Sequence, residues 1–315
     1  MKTKSKEYRY PFDQCVLYKC TTKRKLYEYL KVDFFEMHAI LATMHYDEFT
    51  KPKKDSIELR TITAPSKNLK GIQRRILALL QRVKRPEWLM SGELGKNYIS
   101  NAEFHRNNEY CLTIDISKFY DNCTREYVYQ FFKDKLKCNS DIAKLLTDLS
   151  TYNGGVPTGT PVSQMLAYYA YEDMFAEIYD FATLNGLKFS LYVDDMTFSS
   201  ENNFNSNRIT YSIKKILNRY GHTLKTKKTH YYGKRDSKLI TGVIVTSTKM
   251  LSTPNCRRKK IIDEVSLINA DNFDERKALS LLGKVSAARQ IEPNIFPSIK
   301  ANVEKKLAQI RKEAK

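Results

Sequence analysis

The stretch LYVDDMTFSS, residues 191–200, decides how this sequence is interpreted. Apolar residues alternate over 187–193, the pair Asp194-Asp195 interrupts them, and apolar alternation resumes directly afterwards. Period-two alternation on both sides of a short polar connection predicts two antiparallel β-strands joined by a tight turn. A turn at 193–194 and a turn at 194–195 both keep the apolar side chains on one face, so the pattern leaves the register open.

The two adjacent carboxylates need an explanation of their own. Between apolar strands they repel each other and resist burial unless positive charge lies beside them. Mg²⁺ supplies such charge, and it binds one or two carboxylates together with substrate phosphates. A water-exposed Asp-Asp turn is the commoner explanation of such a dipeptide, so the pair alone does not establish a metal site.

A third carboxylate shifts the balance towards a metal site. Asp115 lies next to the end of the alternating segment YCLTIDI (110–116), in which every second residue from Leu112 onwards is apolar. If this strand lies beside the hairpin, Asp115 converges on Asp194 and Asp195. Three carboxylates can hold two cations about 3.5–4 Å apart, which is how polymerases activate a 3′-hydroxyl and stabilise displacement at the α-phosphate. A polar residue at the end of a strand remains the simpler alternative for Asp115 taken alone.

Composition and charge point to a nucleic-acid partner. The 315 residues are 42% hydrophobic, which is enough for a packed core and excludes wholesale disorder, and the net charge is +19. Residues 219–315 contain 22 basic and 9 acidic residues. The segment RYGHTLKTKKTHYYGKRDSK (219–238) interleaves seven basic residues with three tyrosines, which is typical of a nucleic-acid track. A solvated basic face is the alternative explanation of this run.

Three features of the sequence predict the compartment. No apolar run approaches the roughly 18 residues of a membrane span. The N-terminal MKTKSKEYRYPF has no apolar segment of the kind that a secretory signal contains. The six cysteines form no CxxC pair. We therefore expect a reduced, cytoplasmic protein with no membrane partner.

Periodicity and turn residues predict a mixed order of elements. Strands are expected at 57–63, 110–116 and 187–200. A final helical region is expected after Pro254, with breaks near Asn272 and at Glu292-Pro293. The remaining helices are expected at 23–50, 68–83 and 125–150, and from Thr160-Pro161 to Asn185-Gly186.

Several segments resemble, in order, the motifs of a reverse transcriptase, and in particular a bacterial retron-type one. TIDISKFYDN (113–122) resembles motif A, VPTGTPVSQ (156–164) motif B, YVDD (192–195) motif C and TKKTH (226–230) motif D. Further similarities are RTITAPSKNLKGIQRRIL (60–77) to the fingers motif, NAEFH (101–105) to the retron NAxxH pattern, ITG (240–242) to the retron Val-Thr-Gly and LLGKVSAARQIEP (281–293) to the retron thumb.

The resemblance implies an α+β fold, a right-hand polymerase with fingers, a palm and a thumb. We expect an N-terminal helical extension at 1–56 and fingers at 57–110. The palm, an antiparallel sheet backed by helices, is expected at 111–245 and carries motifs A to D. A basic helical thumb is expected at 246–315.

The resemblance also implies a set of site residues. Asp115, Asp194 and Asp195 would hold two Mg²⁺ ions, for which Mn²⁺ can substitute. The residues expected to bind the nucleotide are Arg60, Lys96, Tyr120, Thr158, Gly159 and Lys228. Those expected to bind RNA are Lys225, Lys227, Arg257, Arg258, Lys259 and Lys260.

Some of these roles also have a physical argument. Arg60 is the best candidate for a phosphate clamp, because arginine binds phosphate through two parallel hydrogen bonds, and Lys96 is the next. Lys228 could donate a proton to the leaving pyrophosphate or balance its charge. Tyr120 is placed where the family sets a ring against a 2′-hydroxyl, which selects dNTPs. Thr158 stands where motif B usually has glutamine.

Other polar residues near the motifs have simpler expected roles. Metal-assisted polymerisation needs no histidine base, so His105 is expected to be a structural histidine whose hydrogen bonds are satisfied. Cys111 and Cys123, on either side of motif A, are expected in the core.

The family resemblance implies a retron enzyme that copies a cognate structured noncoding RNA into DNA. Priming from an RNA 2′-hydroxyl would give an RNA–DNA hybrid that serves in antiphage defence with a separate effector or toxin protein. The alternatives are another defence-associated or abortive-infection reverse transcriptase, a group II intron-like enzyme, and a non-catalytic palm-fold scaffold that binds RNA.

Overall fold

The computed structural model describes residues 9–52, 59–269 and 273–313, in which helices and strands are mixed along the chain. The α-helices of this part are α1 (Lys23–Leu30), α2 (Phe34–Thr43), α3 (Lys67–Leu80), α4 (Tyr98–His105), α5 (Arg125–Gln130), α6 (Ser140–Asp148), α7 (Ser163–Ala170), α8 (Glu172–Leu184), α9 (Ser206–Arg219), α10 (Asn255–Ser266), α11 (Glu275–Ile291) and α12 (Pro297–Glu313). None of these helices combines the length and the apolar character that crossing a membrane requires.

The strands are two to eight residues long. They are β1 (Tyr46–Pro52), β2 (Leu59–Pro65), β3 (Tyr110–Ser117), β4 (Lys188–Tyr192), β5 (Asp195–Ser200), β6 (Thr223–Leu224), β7 (His230–Tyr232), β8 (Lys238–Ile240), β9 (Val243–Val245) and β10 (Leu251–Ser252).

The largest sheet contains the predicted hairpin. Its strand order is β4-β5-β3-β6, and β7 also pairs with β3. The pairs β4–β5, β3–β6 and β3–β7 are antiparallel. Two smaller sheets are formed by β1 with β2 and by β8, β9 and β10. The strand that follows the Asp-Asp pair is therefore a neighbour of the strand that carries Asp115.

The chain divides into two compact units. The first unit comprises Met1–Gly92, Asp115–Phe181 and Asn207–Thr226, and the second comprises the remaining segments, Glu93–Ile114, Ala182–Ser206 and Lys227–Lys315. The boundary falls inside β3, between Ile114 and Asp115. The predicted fingers, palm and thumb boundaries stay a prediction.

The first unit is organised around α3. Apolar residues recur at the helical period in this helix, so Leu69 and Ile76 are fully buried on one face. Gln73 is also fully buried, and its Nε2 donates to the Leu149 carbonyl and to the Tyr46 hydroxyl, both at 3.0 Å. These hydrogen bonds connect α3 to the end of α6 and to β1.

The second unit contains the helical C-terminal region. Helix α11 begins at an N-cap, Asp274, whose carboxylate accepts from the Lys277 backbone N–H at 2.8 Å. Helices α10, α11 and α12 share an apolar core. Its buried members are Ile261, Phe273, Ala278, Leu281, Val285, Ala288, Val303 and Leu307. The prediction of helices after Pro254 is confirmed, with α11 ending directly before Glu292-Pro293; Asn272 lies outside the described residues.

The single helix predicted over 23–50 is wrong, and the described part of the predicted N-terminal helical extension at 1–56 contains a strand as well as helices. Lys31 adopts a left-handed conformation with φ 60° and ends α1, and the Asp33 carboxylate caps a separate helix α2. Residues 46–52 form β1, which pairs with β2 along its whole length. The apolar pattern of residues 23–50 could not predict this pairing, because the partner strand β2 lies outside that segment.

The helix predicted to start at Thr160-Pro161 starts at Ser163 instead, and it is interrupted at Tyr171. The Thr160 hydroxyl donates to the Ser163 hydroxyl, which donates to the Pro157 carbonyl, and these bonds hold the preceding residues as a loop. The predicted end is confirmed, since Gly186 follows α8 with φ +67°.

The other predicted elements differ mainly at their ends. The helix at 68–83 and the strand at 110–116 are confirmed as α3 and β3. The strand predicted over 57–63 is present as β2 from Leu59 to Pro65, whereas Ile57 and Glu58 lie outside the described residues. The helix predicted over 125–150 is divided by a bend at Lys137, which has φ 53°.

Candidate active site

The Asp-Asp pair lies at the connection of a two-residue hairpin. Tyr192 of β4 is paired with Asp195 of β5, so the turn consists of Val193 and Asp194, and this resolves the register that the sequence left open. Val193 has φ 62°, a left-handed conformation that hindered, β-branched side chains rarely adopt. Such strain, of order 1–3 kcal/mol, persists where the surrounding structure fixes the backbone, and it is common at functional sites.

The three predicted metal ligands are divided between the two units. Asp194 and Asp195 are half-buried in the second unit, and Asp115 is buried in the first. The carbonyl of Asp115 accepts from the Lys225 backbone N–H at 2.8 Å, which fixes this point of β3. Among the described residues, no three His, Cys, Asp or Glu side chains are grouped as a metal site. The convergence of the three carboxylates stays a prediction.

A buried chain of hydrogen bonds connects His105 to both strands of the hairpin. His105 is fully buried, and its Nδ1 lies 2.6 Å from the Ser199 hydroxyl of β5 while its Nε2 lies 2.7 Å from the Ser190 hydroxyl of β4. Burial lowers the pKa of His105 to about 3, with a further contribution from Lys188, so the ring is neutral at pH 7. The prediction of a satisfied structural histidine is confirmed.

The donors and acceptors of this chain determine the tautomer of His105. The Ser190 hydroxyl donates to Asn101 Oδ1 at 2.6 Å, so it accepts from Nε2–H of the histidine. The Ser199 hydroxyl accepts from Asn108 Nδ2 at 2.6 Å and therefore donates to Nδ1. Each hydroxyl in the chain thus has both a donor and an acceptor partner.

The same chain connects two of the retron-like segments. Asn101 Nδ2 donates to the Thr241 hydroxyl at 3.4 Å, and that hydroxyl donates to the Tyr98 carbonyl at 3.0 Å. NAEFH and ITG, which are 135 or more residues apart in the sequence, are therefore parts of one polar network behind the hairpin. The serines that complete it, Ser190 and Ser199, were missed in the sequence. The only sequence feature that could have indicated them was the presence of a small polar residue within each apolar strand.

Three predicted nucleotide-binding residues lie close together in the first unit. Arg60 is exposed on β2. The Thr158 hydroxyl donates to the Thr61 carbonyl of the same strand at 3.0 Å, so the motif B loop lies directly beside Arg60. At Gly159, an added Cβ would lie 2.5 Å from the Thr63 carbonyl oxygen, a distance that only glycine avoids. The Thr158 hydroxyl, predicted for the nucleotide, is used here to hold the backbone.

The other three nucleotide-binding candidates occupy separate places. Tyr120 is half-buried at the start of a 3-10 turn, with its ring 5.6 Å from that of Phe119. Lys96 is half-buried in the loop before α4, and Lys228 is exposed at the end of a short 3-10 turn. Their roles stay predictions.

The predicted RNA-binding residues differ in how far they are engaged within the protein. Arg258 donates to the Thr253 carbonyl at 2.9 Å and forms an ion pair with Glu292 at 2.7 Å, so its guanidinium holds α10 to the chain around it. Arg257 lies over the Tyr98 ring at 5.8 Å. Lys227, Lys259 and Lys260 are exposed, and Lys225 is half-buried. Their binding of RNA stays a prediction.

The core cysteines were predicted correctly. Cys111 and Cys123 are both fully buried, and burial raises the pKa of the Cys111 thiol to about 12. Neither thiol is accessible for chemistry at the site.

An antiparallel hairpin with an Asp-Asp turn, set in a sheet backed by helices, is typical of the palm of a nucleic-acid polymerase. The model of the reverse transcriptase (RNA-dependent DNA polymerase) family matches residues 51–252, and the chain belongs to this family. RNA-directed DNA polymerase, the enzyme class predicted from the sequence, is the class of this family.

Curated relatives that match the chain include retron enzymes. The retron Se72 reverse transcriptase of Salmonella heidelberg is 29% identical over 199 residues, which cover 62% of this chain and 52% of that protein. The retron Ec83 reverse transcriptase of Escherichia coli is 25% identical over 286 residues, 87% of this chain and 90% of that protein. The chain therefore spans about half the length of the first relative and most of the second, and the predicted retron-type resemblance is confirmed.

A solved structure supports the fold. Candida albicans telomerase, determined with a fragment of telomeric RNA, matches with a TM-score of 0.52 and 12% identity over 89% of this chain and 58% of that one. At this identity the match shows the fold alone. The predicted fold class, an α+β right-hand polymerase with fingers, palm and thumb, is confirmed.

Proposed function

We propose that this chain copies RNA into DNA by nucleotidyl transfer at Asp115, Asp194 and Asp195. One observation carries the proposal: the turn of the β4–β5 hairpin holds Asp194 directly before Asp195, and β5 is a neighbour in the sheet of β3, which carries Asp115. Adjacent strands are the arrangement through which carboxylates distant in sequence can act on one substrate.

In this proposal the three carboxylates would hold two Mg²⁺ ions, for which Mn²⁺ would substitute. Carboxylate oxygens are the ligands that these hard cations prefer. When bound, such ions lower the pKa of an attacking 3′-hydroxyl and neutralise charge on the α-phosphate. The contribution of the protein is to hold the three carboxylates. The strained turn at Val193 and the hydrogen bond at the Asp115 carbonyl both fix the backbone that carries them.

The dNTP would lie against the motif B loop and β2. Arg60 would bind the triphosphate, and Thr158 and Gly159, which lie beside β2, would form the adjacent wall. In the same proposal, Tyr120 excludes a 2′-hydroxyl, while Lys96 and Lys228 neutralise phosphate charge. These assignments follow the family motifs.

The template would be a cognate structured noncoding RNA, as the similarity to retron enzymes suggests. Priming from an RNA 2′-hydroxyl would give an RNA–DNA hybrid, in the cytoplasm, that acts in antiphage defence together with a separate effector protein. Exposed cations of the second unit, among them Lys227, Lys259 and Lys260, would bind the RNA phosphates together with Lys225, Arg257 and Arg258.

Primer extension on an RNA template tests the catalytic proposal. With Mg²⁺ and dNTPs, Asp194→Asn is expected to lower the extension rate at least about 100-fold, because a metal ligand is lost, while RNA binding is unchanged. Asp180→Asn is the matched control, since Asp180 is exposed on α8. A wild-type protein that binds RNA but extends no primer would show a scaffold instead of an enzyme.

Sequencing of the nucleic acid that copurifies with the protein tests the retron proposal. We expect a DNA strand joined to RNA through a 2′-hydroxyl, which a debranching enzyme separates into RNA and DNA. Linear DNA or untemplated polymer would contradict 2′-hydroxyl priming without affecting the assignment as a polymerase.

A further inference from the structure

A basic cavity in the second unit includes none of the predicted catalytic or nucleotide-binding residues, and part of it belongs to the basic run at 219–238. Its volume is about 260 Å³, and it is bounded by the start of β8, the turn between β9 and β10, and the two residues before β3. The lining residues are Asn108, Glu109, Lys234, Arg235, Lys238, Ser247 and Lys249.

One of the lining side chains is an almost fully buried lysine. Lys238 is 3% exposed, and within the residues that the structure describes its ammonium makes one hydrogen bond, 3.4 Å to the Asp236 carbonyl. Burial lowers the pKa of this ammonium. An ammonium has three donors, so most of the hydrogen bonding that it loses on leaving water is not replaced by the protein.

Exposed side chains of the cavity add positive charge, of which the protein neutralises a part. Lys234, Arg235 and Lys249 are exposed. The one carboxylate among the lining residues, Glu109, already binds Lys234 at 2.9 Å. The nearby Asp236 carboxylate accepts from the Gly233 backbone N–H at 2.7 Å. The cavity is therefore predisposed to bind an anion.

We propose that this cavity binds a phosphate group of the RNA backbone, at a site separate from the predicted catalytic residues. A single buried ammonium surrounded by long exposed cations matches a phosphodiester chain, in which one phosphate enters and its neighbours remain at the rim. Three of the cations, Lys234, Arg235 and Lys238, belong to the basic run at 219–238. The choice of RNA as the source of the phosphate rests on the proposed function.

The test measures the affinity of the full chain for a fluorescein-labelled hairpin RNA at several KCl concentrations. Lys249→Ala is expected to weaken binding several-fold and to reduce the slope of log K against log[KCl] by about one, as for the loss of one phosphate contact. Lys238→Met is expected to weaken binding about tenfold, the effect of one lost charge-assisted hydrogen bond. Lys144→Ala is the control, because Lys144 is exposed on α6. This variant should leave both the affinity and the slope close to their wild-type values.

Titration with inorganic phosphate and with dNTPs distinguishes the sources of the anion. If Lys238→Met and Lys249→Ala bind the RNA as the wild type does, the proposal is overturned. If these variants keep the wild-type RNA affinity but lose the binding of phosphate or dNTP, the cavity is a site for small anions instead. Circular dichroism of each variant verifies folding, and Lys249→Ala changes only an exposed side chain.

Extension of a short preformed primer–template separates this proposal from the proposed function. If the wild type extends no primer, catalysis fails while the RNA affinities still test the cavity.

Discussion

Two polar clusters of the second unit, the His105 chain and the Lys238 cavity, differ in how the hydrogen bonds of their buried side chains are satisfied. Both ring nitrogens of His105 contact serine hydroxyls, at 2.6 and 2.7 Å, whereas the ammonium of Lys238 donates to one carbonyl at 3.4 Å. Both side chains are nearly inaccessible to water, so exposure does not explain the difference. A buried polar group with all its partners stabilises the fold, while one that lacks them costs stability until a ligand supplies the rest.

The two clusters also contact different parts of the molecule. The His105 chain contacts both strands of the hairpin and extends through Asn101 to Thr241, so it orders the backbone that presents Asp194 and Asp195. The Lys238 cavity opens on a rim of exposed cations. We therefore expect variants of the first cluster to lower stability and variants of the second to lower RNA affinity.

The largest effect is expected from removal of the imidazole. His105→Ala leaves a cavity and deprives two buried hydroxyls of a partner, and we expect a loss of about 3 kcal/mol in the free energy of unfolding. Urea denaturation followed by circular dichroism measures it. His45→Ala is the control, because His45 is exposed. Equal losses in the two variants would contradict a structural role for the chain.

The pH dependence of stability gives a second test of the same chain. Burial lowers the pKa of His105 to about 3, below its ordinary value in the unfolded chain. Between these values the unfolded state binds one more proton than the folded state, so acidification from pH 6 to pH 4 destabilises the protein by up to about 1.4 kcal/mol per pH unit from this group. His105→Gln keeps one donor and one acceptor but cannot titrate.

Urea denaturation of both proteins at several pH values measures this contribution. The slope of unfolding free energy against pH should be smaller in His105→Gln than in the wild type. Identical slopes would mean that His105 is protonated in the folded protein at these pH values, contrary to the neutral ring that the serine contacts require.

A smaller effect is expected at the far end of the chain. Thr241→Val removes the hydroxyl that donates to the Tyr98 carbonyl, and we expect a loss of about 1 kcal/mol, the net value of one hydrogen bond. Thr241→Ser retains the hydroxyl and is the matched control. A serine variant that loses as much stability as the valine variant would assign the effect to the methyl group instead.

These residues show which parts of the molecule a sequence can predict. The hairpin and β3 were predictable because apolar residues at period two report local geometry. The strand β1 was not, because its pairing with β2 depends on residues outside the segment, and six of its seven residues are exposed. Lys238 belonged to a basic run that was interpreted as a nucleic-acid track, with a solvated face as the alternative. Its burial depends on Val245, the residue paired with it in the sheet, and on the turn between β9 and β10.

The smallest expected effect, and the one opposite in sign, is on the stability of the Lys238 variant without RNA. Lys238→Met keeps the volume of the side chain and removes a buried charge with a single hydrogen bond, so the free energy of unfolding should stay the same or rise by up to about 1 kcal/mol. Urea denaturation of the RNA-free protein measures it, and the same variant should bind hairpin RNA more weakly. A stability loss of 2 kcal/mol or more would place Lys238 in the same category as His105. The distinction between the two clusters would then fail, because a group that supports the empty protein has no need of a phosphate to complete its hydrogen bonds.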